Sequence, residues 1–117
     1  MTLHDFYVAV GGDYATAAAS MGSDERILAL LRAFPYAQDY AVLLHAMREG
    51  RWQDARNSAV SIAHAANTMV CPGLQRAGSA LAEALSRTEP EGDVLALQES
   101  LAREYRKVIA AINGVTN

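Results

Sequence analysis

Histidines are the residues of this chain best suited to chemistry near neutral pH, because imidazole can act as a base or as a nucleophile. The chain has three of them, His4, His45 and His64. His64 lies one helical turn after Val60 in a long segment of helical character, whereas the other two lie in separate segments. No pair of Cys or His residues has the spacing of zinc ligands, so the sequence predicts neither a metal site nor a cofactor. For His4 and His45 the simplest interpretation is a solvent-exposed side chain.

The other reactive residue types form no catalytic pattern. Cys71 is the single cysteine and cannot form an internal disulfide, so a small buried side chain is the favoured interpretation. Asp13 and Asp39 could be taken for a carboxylate pair, but both fit helix caps or turns. Gly11 and Gly12 lack the strand and the lysine of a phosphate loop. Because no nucleophile is accompanied by a base and an orienting group, we do not expect an enzyme.

Composition predicts one soluble domain with a single core. The 117 residues, 51% of them hydrophobic, match the size of one domain. Ten basic and 13 acidic residues give a net charge of -3 without a basic block, which argues against binding to nucleic acid. The first residues lack the pattern of a secretory signal, and no apolar stretch approaches the roughly 20 residues of a membrane span. We therefore expect a cytoplasmic protein.

Helical signals extend along the sequence and strand-like alternation is missing, so the sequence predicts an all-α fold. Apolar spacings of three and four residues predict helices over 3–10, 14–20, 24–33, 37–49, 51–71, 72–86 and 94–113. Helix-starting caps are expected at Thr2 with Asp5, Asp13, Ser23 and Asp93, and helix ends at Gly11-Gly12, Gly22, Pro35, Gly50 and Gly114. A charged loop is expected over 88–92. Four long helices with short connections predict an antiparallel four-helix bundle over residues 1–117, with the short N-terminal helices packed at one end.

The central helix has two contrasting sides when its residues are placed at about 100° per step. The predicted core side holds Ala55, Ser58, Ala59, Ile62, Ala66 and Met69. The predicted outer side holds Arg56, Val60, Ala63, His64 and Asn67. Apart from Arg56 this outer side has no charge, which is unusual for a solvent-facing helix surface.

Several short landmarks occur in a fixed order along the chain. They are Gly11-Gly12-Asp13, Phe34, Gly50-Arg51-Trp52, Ala59, Ile62, Met69, Pro72 and Leu74. On these landmarks the chain resembles the histidine-containing phosphotransfer (HPt) domain of multistep phosphorelays, from Leu3 through 105–109. The central landmarks align with the family pattern without a gap. This resemblance implies a helical bundle that takes part in two-component signalling.

The positions that carry function in this family differ here. The resemblance places Val60 at the phosphorylated histidine, Ala63 at a lysine, His64 at a glycine, and Val70 at a second glycine. A valine side chain has no nitrogen that could accept a phosphoryl group, and a phosphoryl group also gains from a nearby cation, which alanine cannot supply. The resemblance therefore implies an HPt-like protein that lacks the usual acceptor.

We expect such a protein to act by binding a response-regulator receiver domain or a sensor kinase through Arg56, Val60, Ala63, His64 and Asn67. One alternative is phosphotransfer through His64, displaced by one turn, or about 5.4 Å, from position 60. Another alternative is a helical self-association module, in which Val60 packs against a second copy. The expected assembly is a monomer or a weak homodimer.

Overall fold

All regular structure in the computed structural model is helical, within the residues that it describes, 1–87 and 93–115. These residues form seven α-helices and one 3-10 turn: α1 Leu3–Ala9, α2 Tyr14–Met21, α3 Asp24–Ala33, the turn Phe34–Tyr36, α4 Asp39–Glu49, α5 Trp52–Met69, α6 Pro72–Leu85 and α7 Asp93–Gly114. The predicted all-α fold class is confirmed. The loop expected over 88–92 lies outside the described residues.

Side-chain caps start the first three helices as the sequence predicts. The Thr2 hydroxyl accepts from the backbone N–H of Asp5 at 3.2 Å, and the Asp5 carboxylate accepts from the backbone N–H of Thr2 at 3.0 Å. This reciprocal pair is a capping box. Asp13 and Ser23 each accept from the backbone N–H three residues on, at 3.2 Å. Asp93 differs from its prediction, because it lies in the first turn of α7 rather than before it.

Glycine and proline end helices where the sequence predicts. Gly22 and Gly50 adopt left-handed backbone conformations, with φ of 91° and 70°, directly after α2 and α4. Left-handed residues are favourable for glycine because it has no Cβ. Pro35 lies in the 3-10 turn that follows α3. The next helix, α4, begins at Asp39, two residues later than predicted.

The long helices pack in chain order, with α4 against α5, α5 against α6, and α6 against α7. Two residues connect α4 to α5 and two connect α5 to α6, so these neighbours run antiparallel. Tyr40 of α4 stacks on Tyr105 of α7, with ring centroids 3.9 Å apart. The Met1 amino group donates to the Gly114 carbonyl at 2.8 Å and holds α1 beside the end of α7. One hydrophobic core unites all these helices.

One stretch, over 24–49, reaches a mean hydropathy of 1.2 in an 18-residue window, the lower edge of the range for a membrane span. Only 22% of that window is buried. The stretch is interrupted by the 3-10 turn and forms two helices of 10 and 11 residues. Each is about half the length that crosses a bilayer, roughly 20 residues.

Candidate functional site

The side of α5 that faces the core is the predicted one. Its buried residues include Ala55, Ser58, Ala59, Ile62, Ala66 and Met69, all of them predicted. Val60 lies on the opposite side, and its side chain is 44% exposed. His64 and Asn67 are exposed, and Arg56 is half-buried. We refer to Arg56, Val60, His64 and Asn67 as the α5 outer face.

Ala63 does not belong to this face, and its predicted outward position is wrong. The residue is only 8% exposed. It lies about 40° around the helix from buried Ala59, on the flank that faces α6. There α6 comes close because Gly78 has no side chain: a Cβ at Gly78 would lie 3.1 Å from the Ala63 Cβ. A lysine at position 63 would have to emerge from between two closely packed helices.

The α5 outer face presents one imidazole and very little charge. Within the described ranges, the His64 ring has no hydrogen-bond partner, while its backbone carbonyl accepts from the Thr68 hydroxyl at 3.1 Å. From residue 57 to residue 69 the helix carries no Asp, Glu, Lys or Arg. Val60 can contribute contact area but no proton and no nucleophile. Among these side chains, only the His64 ring could form a covalent bond to a transferred group.

The C-terminal end of α5 has a feature that the helical pattern missed. Val70 follows the helix with φ of 58°, the only residue other than glycine with positive φ among those described. Its N–H donates to the Asn67 carbonyl at 3.1 Å, and the Cys71 N–H donates to the Ala66 carbonyl at 2.8 Å. This pair of bonds is a Schellman motif, whose left-handed residue is usually glycine. The resemblance places a glycine at position 70, and this expected glycine was the available sequence signal for a left-handed residue there.

The N-terminal segment packs against this same corner. The Tyr7 hydroxyl, which is buried, donates to the Met69 carbonyl at 2.8 Å. Burial raises the pKa of Tyr7 well above its ordinary value, so the hydroxyl stays a donor. A Cβ at Gly12 would lie 2.3 Å from the Val70 carbonyl oxygen. The early Gly-Gly pair therefore has a packing role, because at Gly12 it lets the chain approach the α5 to α6 corner closely.

The surroundings of the remaining candidate groups favour structural or solvent-exposed roles over reactive ones. Burial raises the pKa of the Cys71 thiol to about 12, which disfavours the reactive thiolate. His45 lies 3.1 Å from Glu49, and the His4 ring contacts Tyr14 with centroids 4.0 Å apart. Both histidines are exposed, as predicted. No group of three or more His, Cys, Asp or Glu side chains that could hold a metal ion occurs in the described residues.

Comparison of the chain with protein-family models, with curated proteins and with solved structures finds no significant match. The interpretation of the α5 outer face therefore depends on the residues and geometry described above.

Proposed function

We propose that this protein is an HPt-like binding module of two-component signalling, whose α5 outer face docks on a response-regulator receiver domain without accepting phosphate. The observation that carries this proposal is the exposed Val60 at the centre of that face. The resemblance places the phosphoacceptor at this position. The proposed role needs no cofactor and would operate in the cytoplasm.

The proposal includes a four-helix bundle formed by α4, α5, α6 and α7. Packing between consecutive helices supports it, and a single side-chain contact, the stacked rings of Tyr40 and Tyr105, joins the first of these helices to the last. The described residues extend 44 × 21 × 20 Å. The two short dimensions each match about two helix diameters, which suits four helices packed side by side.

Two backbone features support the resemblance to HPt domains more strongly than apolar spacing does. The chain turns left-handed at Val70, where the family has a glycine. It also passes within contact distance of that corner at Gly12, part of the early Gly-Gly-Asp landmark. Left-handed helix ends are common in helical proteins generally, so the close approach at Gly12 is the more specific of the two features. It depends on how the N-terminal segment packs on the end of α5.

Binding without transfer fits the chemistry of the face. A valine that is 44% exposed offers apolar area at the position where an acceptor would lose its proton and gain phosphate. Apolar side chains at the centre of a patch favour association when they are desolvated by a partner. Ala63, at the family's lysine position, is buried and supplies no cation.

Calorimetric titration of the protein with a panel of receiver domains tests this proposal. We expect at least one receiver to bind, and we expect Val60→Asp to abolish the binding because it desolvates a carboxylate at the centre of the interface. Val42→Asp is the matched control, because Val42 lies on α4 and is 42% exposed. A panel without binders, or an equal loss in both variants, would refute receiver docking through this face. Binding to a sensor kinase alone would refute the choice of partner.

Exposure of His64 favours a second candidate function, transfer of a phosphoryl group. In that reaction an imidazole nitrogen attacks the phosphorus of a receiver's aspartyl phosphate, a P–N bond forms, and the P–O bond to the carboxylate breaks. Incubation with a phosphorylated receiver would then label the protein with acid-labile phosphate. The label should disappear in His64→Ala and persist in His45→Ala, which removes another exposed imidazole. This result would establish transfer and defeat the binding-only proposal.

A further inference from the structure

The α5 outer face holds one side chain of a type that changes charge near neutral pH. His64 follows Val60 by four residues on α5, and both side chains are exposed, so they are neighbours on the same side of the helix. Imidazole is the side chain whose charge ordinarily changes between about pH 5 and pH 8. The charge of the α5 outer face therefore depends on pH through His64.

No residue of α5 near His64 can compensate a positive charge on its ring. From residue 57 to residue 69 the helix has no Asp or Glu, and the nearest charged residue before this stretch, Arg56, is itself a cation. The Thr68 hydroxyl, one turn further on, donates to the His64 backbone carbonyl rather than to the ring. Asp54, near the start of α5, pairs with Arg51 at 2.6 Å. A protonated His64 would thus add a second positive charge to the face without a negative one.

The elements packed against α5 supply no counter-ion either. Within the described ranges, the His64 side chain takes part in no ion pair and no hydrogen bond. The charged and titratable residues of helices α1, α3, α4 and α6 and of the corner before α6, none of which pairs with His64, are His4, Asp5, Tyr7, Asp24, Glu25, Arg26, Arg32, Asp39, Tyr40, His45, Arg48, Glu49, Cys71, Arg76 and Glu83.

Docking removes water from this face, and the two charge states of His64 respond differently. A neutral imidazole has one donor and one acceptor, which a partner can satisfy beside the apolar Val60. An imidazolium that loses its water without gaining a counter-ion opposes association. We propose that His64 makes the docking of a receiver domain pH-dependent, an inference that rests on the proposed function. The neutral ring permits the complex, and the protonated ring weakens it.

Calorimetric titration with a receiver that binds, at pH 7.5 and at pH 5.5, tests this dependence. For wild type we expect the dissociation constant to rise in acid by about threefold or more, and by at most about tenfold per pH unit, because one proton is involved. His64→Gln keeps a neutral hydrogen-bonding side chain at both pH values and should show a smaller rise. His45→Gln removes another exposed imidazole, on α4, and should behave like wild type. Groups of the receiver that titrate affect all three proteins alike.

The difference between wild type and His64→Gln carries the test. An equal rise in both proteins, or a smaller rise in wild type than in His64→Gln, would overturn the role of His64. Receiver docking would survive that result, because binding that is lost in Val60→Asp at pH 7.5 is independent of the pH profile. A panel in which no receiver binds at pH 7.5, where the ring favours docking, would instead refute the proposed function and this dependence with it.

Discussion

Replacement of Val70 by glycine and by alanine should separate a backbone effect from a packing effect at the end of α5. Val70 has φ of 58°, in the left-handed region that is unfavourable for residues with a Cβ and most of all for β-branched ones. Its side chain is half-buried, and both replacements remove the same γ-methyl contacts. The two variants therefore differ chiefly in how readily the backbone accepts this conformation.

The expected difference follows from two opposing terms. A left-handed conformation costs a residue with a Cβ about 1–2 kcal/mol, and glycine escapes this cost. Glycine loses more conformational freedom on folding, which offsets about 0.5–1 kcal/mol. Val70→Gly should then have a free energy of unfolding about 1 kcal/mol higher than Val70→Ala. In a domain of this size that difference corresponds to about 4 °C in Tm.

Ser61 provides the control, because it is exposed in the interior of α5, where the backbone is helical. There the order should reverse, with Ser61→Ala more stable than Ser61→Gly by about 1 kcal/mol. Urea unfolding of the four variants, followed by circular dichroism at one low protein concentration, measures both differences. If alanine were the more stable replacement at position 70 as well, the left-handed corner described above would be refuted.

Four other perturbations follow from the same structure. Tyr7→Phe should lower the free energy of unfolding by about 1–3 kcal/mol, because it leaves the buried Met69 carbonyl with only the weak contact from the Cys71 thiol at 3.9 Å; an unchanged urea midpoint would contradict this. Gly78→Val should destabilise by a similar amount, about 1–3 kcal/mol, by forcing α6 away from α5, as thermal unfolding would detect. Cys71, whose pKa is raised to about 12 by burial, should resist iodoacetamide at pH 8 in the native protein and react in urea; rapid native labelling would contradict its burial. The pKa of Asp13 is lowered by a neighbouring threonine hydroxyl, so its stabilising contribution is present above the unfolded pKa and disappears as the pH falls through the folded pKa. Asp13→Asn should therefore lose less stability than wild type on acidification, measured by urea titration below about pH 4.

Features that depend on neighbours in the sequence could be predicted from it. The caps at Thr2, Asp13 and Ser23 each act on a backbone N–H three residues away, so residue type and position suffice to identify them. Glycine after a helix similarly indicates a left-handed end, as at Gly22 and Gly50. The core side of α5 follows from the period of the helix, because its buried residues recur at intervals of three and four positions along the sequence.

Features that depend on distant residues could not be predicted in the same way. Ala63 is buried because α6 approaches at Gly78, and the helical wheel of α5 contains no information about how close its neighbour comes. The helix was expected to continue to Cys71, but it ends at Met69. Local preference opposes the left-handed conformation of Val70. That conformation is maintained by the short connection to α6 and by the contacts of Tyr7 and Gly12.

The two positions where the resemblance expects glycine show how fold and surface impose different demands. At position 70 the backbone is left-handed, so valine there destabilises the fold although the geometry is kept. His64 lies within α5 on its exposed side, where glycine is unfavourable by about 1 kcal/mol relative to alanine and most other residues are tolerated. The fold therefore does not determine the residue at position 64, nor at exposed position 60. Exposed positions 60 and 64 can therefore be substituted at little cost to stability, which makes them suitable sites for testing the proposed docking.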